Sequence, residues 1–251
     1  MSGHSKWSSI KHKKAATDAK RAQLFTKLAR EITIAARGNP DPLSNAPLRL
    51  AIQRAKDGNV PNTNIDRAVQ RAAGGGDADR LEEVIYEGYG PGGTAVIVEV
   101  VTDNRNRTVA DLRLAFSRAG GNLAENGAVA WQFDLRGIVT VDAADADPDA
   151  VQLAAIEAGA LDVDVSDDGA VVEVITEPGD AEMVRAALTA AGLAVEKAEL
   201  SRIPQNLVPL DEKAAIAALK MLERLDDLDD VSRVYSNAEF PDEVLEAAAS
   251  A

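Results

Sequence analysis

Residues 138–201 read IVTVDAADADPDAVQLAAIEAGALDVDVSDDGAVVEVITEPGDAEMVRAALTAAGLAVEKAELS. Short β-branched runs alternate there with alanine-rich segments of helical period. The pattern predicts a strand over 138–141, a helix over 149–158, strands over 161–165 and 171–175, a helix over 180–191 and a strand over 194–201. Asp167, Asp168 and Gly169 supply a hairpin turn between the two middle strands. Strand-helix-strand-strand-helix-strand is a complete ferredoxin-like unit. Upstream, a strand over 94–101, a helix over 108–119 with Thr108 and Asp111 as a capping box, and a strand over 129–133 make a β-α-β run. Downstream, a helix over 211–225 and a strand over 231–235 lack partners of their own. The expected topology therefore brings them back to complete the unit opened at Leu81, with the ferredoxin-like unit inserted within it.

The first 80 residues follow a different pattern. Thr17 or Asp18 is expected to cap a helix that runs to about Arg37 and stops at Gly38, Asn39 and Pro40. Leu24, Phe25, Leu28, Ile32 and Ala35 share one face of it, and Lys20, Lys27, Arg30 and Arg37 the other. A second helix carries Leu48, Ala51, Ile52 and Ala55 and ends at Gly58. A third, with Thr63 and Asp66 spaced as a capping box, runs to the glycines at 74–76. The fold class is α+β: an N-terminal three-helix domain (1–80), a discontinuous α/β domain (81–135 plus 204–251) and an inserted ferredoxin-like domain (136–203).

Composition narrows the function. Cysteine is absent, which removes disulfides, thiolate nucleophiles, iron-sulfur clusters and cysteine zinc sites, and fits a reducing cytoplasm. No apolar run approaches membrane-spanning length, and the lysine-rich start lacks the apolar segment of a secretory signal. The net charge of -14 is unevenly distributed. Residues 1–80 hold 15 lysines and arginines against seven acids, a formal +8, which leaves -22 for the other 171 residues. A basic leading domain on an acidic body is the electrostatic footprint of a protein that meets a polyanion at one end.

Within that basic domain, the segment Gly3-His4-Ser5-Lys6-Trp7-Ser8-Ser9-Ile10-Lys11-His12-Lys13-Lys14 is too polar to fold alone. Lys6, Lys11, Lys13 and Lys14 suit phosphate contacts, joined by His12 and, further on, Lys20, Arg21 and Lys27. Trp7 either stacks on an exposed base or staples the segment onto the helices. Arg105 and Arg107 sit at the start of a helix, where anions are favoured, and either grip phosphates or form surface ion pairs. Gly88, Gly90 and Gly93 satisfy G-x-G-x-x-G but precede a strand and open no helix, so a dinucleotide site lacks its required context. A tight turn is the plainer reading. Asp145, Asp147 and Asp149 imitate a calcium loop but lack its glycine and its final glutamate. Asp226, Asp227, Asp229 and Asp230 read as a solvated helix exit. With two histidines, both in the leading segment, neither a metal site nor acid-base catalysis is expected. No cofactor is expected either.

Several motifs together resemble the YebC/PmpR family. These are Gly3-His4-Ser5-Lys6-Trp7, Ile10 to Ala16, Asp18-Ala19-Lys20-Arg21 and Phe25-Thr26-Lys27-Leu28, followed by Tyr86 to Gly93, Thr102 to Thr108 and Gly120-Gly121-Asn122-Leu123. The resemblance implies a helical first domain followed by two α/β domains. It also implies either a DNA-binding transcriptional regulator or, as in mitochondrial relatives, a ribosome-associated translation factor. The expected protein is thus a non-enzymatic, monomeric, cytoplasmic regulator of gene expression that binds DNA. The alternative is a translation factor that contacts ribosomal RNA on the ribosome and assists elongation at proline-rich sequences. No helix shows Arg clustered with Asn or Gln as an evident major-groove reading face, a point in favour of RNA.

Overall fold

The computed structural model describes residues 18–74, 80–166 and 168–249, so the leading segment from Lys6 to Lys14, with Trp7 and His12, lies outside the described residues. The chain divides into two compact units, one formed by 134–203 and the other by the remainder. Among the described residues, no helix is long and apolar enough to cross a membrane.

The larger unit begins with α1 (Asp18–Ala35), α2 (Ala46–Asp57) and α3 (Asn62–Ala73). Leu28, Ile32, Leu48, Ala55, Val60, Ile65 and Ala68 pack together between them. Asn45 caps α2, its side chain accepting from the Leu48 N–H. The expected Thr63–Asp66 box is absent: the cap position is Pro61, two residues earlier, and no side chain caps α3.

The sheet of this unit is built from β1 (Glu82–Tyr89), β2 (Ala95–Thr102), β3 (Asn122–Leu123) and β9 (Val231–Ser236), in the order β3-β1-β2-β9. Its three pairings are all antiparallel. Strand β9 comes from beyond residue 204, so the chain leaves this unit and returns to finish its sheet. A short parallel pair, β8 (Val208–Pro209) with β10 (Ala238–Glu239), lies in the same returning segment. Alternation along each strand sorts the side chains by face. Val96, Val98, Val100 and Val231 face α4 (Arg105–Arg118), α7 (Glu212–Asp226) and α8 (Asp242–Ala249), around Phe116, Met221 and Leu222. Ala95, Ile97 and Tyr235 face the other way, onto Val129 and Phe133. The expected strand over 129–133 is instead a short 3-10 turn, Ala130–Gln132, that opens directly into the strand beginning at Phe133. The cause is Glu87, a buried carboxylate on β1 that accepts the N–H groups of Gly127, Val129 and Ala130 at 2.6, 2.7 and 2.7 Å. Those amides are therefore unavailable to a strand partner.

The glycine motif is the turn between β1 and β2. Gly92 has φ +71°, and a Cβ at that position would lie 2.3 Å from Leu210. At Gly88 a Cβ would meet the Phe116 ring at 2.6 Å. These positions need glycine for shape.

The smaller unit contains β4 (Phe133–Asp142), α5 (Pro148–Glu157), β5 (Asp162–Val165), β6 (Val171–Thr176), α6 (Ala181–Ala190) and β7 (Ala194–Pro204), with sheet order β5-β6-β4-β7. This is the ferredoxin-like order. Val139, Val141, Val172 and Val174 pack on Val151, Val184 and Leu188 from the two helices. Asp147, from the imitation calcium loop, caps α5 by accepting the Asp149 N–H at 3.1 Å.

Candidate nucleic-acid interface

The polar face of α1 is occupied by the chain itself. Lys20, Gln23, Lys27 and Arg30 recur at helical spacing and meet the acidic stretch 226–230 some 200 residues later. Lys27 is buried and its ammonium donates to the Asp226 carbonyl. Gln23 donates to the Asp227 carbonyl at 2.7 Å and to Asp229 Oδ1 at 3.0 Å. Arg30 donates to the Asp229 carbonyl at 2.9 Å and to Asp230 Oδ1 at 3.1 Å. Lys20 lies 3.9 Å from Asp227 Oδ1, with half of its side chain in solvent. The stretch is therefore more than a solvated helix exit: Asp227 and Asp229 stay exposed, but its carbonyls and the buried Asp230 form the dock for α1. Further along the same helix, Glu31 takes Arg54 at 2.6 Å and approaches Arg233 of β9 at 3.9 Å. Beside them, burial pushes the Tyr235 hydroxyl up to about 12 against the pull of Arg233.

Asp230 is the hub of this contact. Only 8% exposed, its carboxylate accepts from Arg107 at 2.8 and 3.0 Å and from Arg30, and its Oδ2 lies 2.8 Å from Thr108 Oγ1 and 3.1 Å from Thr102 Oγ1. Burial by itself would raise this carboxyl. The hydrogen bonds from Arg107 and Thr108, the charge of Arg107 and the bond from Thr102 outweigh it and hold the group below the ordinary carboxylate range. Thr108 is consequently a buried residue in the first turns of α4, not its cap. The cap is Asn104, whose Oδ1 accepts the Arg107 N–H at 3.1 Å. The motif from Thr102 to Thr108 thus ties β2, α4 and the start of β9 together. Arg107 also bridges Asp103 at 2.9 Å, and Arg105 pairs with Glu82 while both remain largely exposed. Arg21 is exposed on α1.

What α1 does not offer, α3 does. Its buried side carries Ile65 and Ala68; its outer side carries Asn62, Thr63, Asp66, Arg67, Gln70 and Arg71. Among the described residues, the side chains of Arg67, Gln70 and Arg71 make no hydrogen bond or ion pair. The spacing i, i+1, i+4, i+5, i+8, i+9 marks one helical face, and it is readable in the sequence. It corrects the expectation that no helix clusters Arg with Asn and Gln. The smaller unit contrasts sharply, with 16 acids against four lysines and arginines over 134–203. Such a charge balance repels a polyanion, whereas residues 1–80 carry a formal +8. No group of three or more His, Asp or Glu among the described residues could hold a metal ion.

Comparison with known proteins covers nearly the whole chain. A family model described as "TACO1/YebC protein N-terminal domain" matches residues 5–75, and one described as "TACO1/YebC second and third domain" matches residues 81–238. A "Probable transcriptional regulatory protein" of Hahella chejuensis is 53% identical over 98% of this chain and 99% of that relative. Proteins with the same description from Dehalococcoides mccartyi and Desulfosudis oleivorans are 51% and 52% identical, each over 98% of this chain and over 98% and 100% of their own lengths. The crystal structure of a conserved hypothetical protein from Aquifex aeolicus superposes with a TM-score of 0.83 at 42% identity, covering 91% of this chain and 94% of that one. With the two family models matching residues 5–75 and 81–238 and relatives about half identical along nearly the whole length, the chain belongs to the TACO1/YebC family.

Proposed function

We propose that this protein regulates gene expression by binding DNA, as a non-enzymatic transcriptional regulator. The observation that carries the reading is the charge division: +8 over residues 1–80 against 16 acids and four cations in the inserted unit. The names of the relatives point the same way. The helical end approaches phosphates, while the inserted unit's acids keep it in solvent. Lys6, Lys11, Lys13 and Lys14 supply counterion-releasing contacts, and Trp7 stacks on a base that becomes accessible. Lys27 and Arg107 serve the fold, since Lys27 is buried with its ammonium on the Asp226 carbonyl and Arg107 is paired with the Asp230 carboxylate.

A second reading, translation on the ribosome through ribosomal RNA, draws on the leading segment, because Trp7 amid lysines suits irregular single-stranded surfaces. One experiment addresses both. The full chain and a Lys11→Gln, Lys13→Gln, Lys14→Gln variant are titrated onto labelled duplex DNA and, separately, sedimented with ribosomes at moderate salt. Transcriptional binding predicts a DNA shift whose salt slope flattens by roughly one for each phosphate that the variant no longer engages. An unchanged slope refutes the lysine assignment, and ribosome co-sedimentation without DNA binding moves the function to translation.

A further inference from the structure

We infer that α2, the turn Gly58-Asn59-Val60-Pro61 and α3 form a helix-turn-helix unit whose α3 enters the major groove of duplex DNA. The inference rests on the nucleic-acid reading above and names the surface that makes the contact. Four residues separate the two helices, and a short turn containing glycine is the connection such units use. The turn is closed by main-chain bonds: Gly58 N–H to the Arg54 carbonyl at 3.0 Å, Asn59 N–H to Lys56 at 2.9 Å and Val60 N–H to Ala55 at 2.9 Å. Asn59 sits in the left-handed region at φ +58°. A Cβ on Gly58 would approach Leu28 of α1 at 2.9 Å, so the turn is pressed against the supporting helix. Buried Val60, with Ile65 and Ala68, then anchors α3 by its inner side and leaves the outer side open.

That outer side has suitable chemistry. Arg67 and Arg71 lie one turn apart and present forked donors for guanine edges or phosphates. Gln70 and Asn62 match adenine in type, Thr63 either base, and Asp66 accepts from cytosine N4 while discouraging phosphate at its own position. At 12 residues α3 is about 18 Å long, on the scale of a groove roughly 12 Å wide. Exposed Lys56, at the end of α2, adds a cation beside the turn. The polar face of α1 is excluded from this role because the stretch 226–230 occupies it.

The test uses the full chain, a labelled duplex of about 30 base pairs and an RNA of matched length, with binding followed by anisotropy across a salt series. Arg67→Ala/Arg71→Ala is compared with Arg113→Ala/Arg118→Ala, which removes the same charge from exposed positions of α4. Circular dichroism confirms that both variants keep their helices. The inference predicts that the α3 variant loses duplex affinity by roughly 10-fold or more and that its salt slope flattens by about one to two, while the α4 variant binds like the parent. Equal losses in both variants, or none in either, overturn the inference and leave nucleic-acid binding intact with its site elsewhere. Binding to RNA alone overturns the duplex assignment. Failure of the parent to bind either polymer at about 50 mM salt sinks the nucleic-acid reading itself.

Discussion

Replacing Asp230 by alanine removes a buried carboxylate that joins α1, α4, β2 and β9, and the structure sets the scale of the loss. Thr102 and Thr108 are buried hydroxyls that each lose a bond to Oδ2, at about 0.5–1.5 kcal/mol apiece. They retain part of their bonding, since their oxygens lie 2.8 Å apart and Thr108 also reaches the Asn104 carbonyl. Arg107 and Arg30 lose a charged acceptor, but their side chains are 48% and 29% exposed and regain water, so solvent discounts a contribution that would be larger in a dry interior. Together these give roughly 2–4 kcal/mol. The assay is urea unfolding followed by Trp131 fluorescence in a Trp7→Phe background, because Trp131 belongs to the same compact unit as the hub. With a slope of about 2 kcal/mol per molar urea, the midpoint falls by roughly 1–2 M. A shift under about 0.3 M would refute the assignment of Asp230 as a hub. The same hub has a pH signature: its folded pKa lies below the free value of 3.8, so its stabilisation is fully present above about pH 4 and is lost as pH falls through the lower folded value.

Other consequences follow from contacts of similar definition. Glu87→Ala leaves three main-chain donors without their acceptor and should cost about 3 kcal/mol, with faster amide exchange at Gly127, Val129 and Ala130; unchanged protection there would contradict the clamp. Gly121→Ala sets a Cβ 2.3 Å from the Tyr89 carbonyl oxygen, a backbone atom with little room to move, and should lower stability by about 2 kcal/mol or more in the same urea assay. An Asp230→Ala background should abolish the loss of stability below about pH 4 that this carboxyl contributes to the parent, measured by the same fluorescence; a persistent loss of equal size would assign it elsewhere.

The inserted unit is legible because its strands and helices are local: β-branched runs and alanine-rich helices carry their periodicity within about ten residues. The return of β9 is legible from unpartnered elements after residue 204. The misreadings share one physical cause, a partner far away in sequence. Val129 to Phe133 has strand composition, but Glu87, some 40 residues earlier, takes the amides it needed. Thr108 has the spacing of a cap, but Asp230, 122 residues later, draws its hydroxyl inward and leaves capping to Asn104. Lys20 and Lys27 look like phosphate grips until 226–230 is placed against them. The exposed face of α3 shows the opposite case. It is purely local and readable from spacing, yet a capping-box reading of Asp66 sets that residue apart and hides the face. Of the candidate site, Lys20, Lys27, Arg105 and Arg107 are engaged within the fold, Arg21 is exposed, and Lys6, Trp7, Lys11, His12, Lys13 and Lys14 lie outside the described residues.

The most direct test of the account is the affinity of the intact protein for a labelled nucleic-acid duplex measured from about 50 to 300 mM salt. The account predicts a measurable complex whose log affinity declines linearly with log salt, with several phosphate contacts in the slope. A protein that binds nothing at the low end of that range, or binds with no salt dependence, would contradict it.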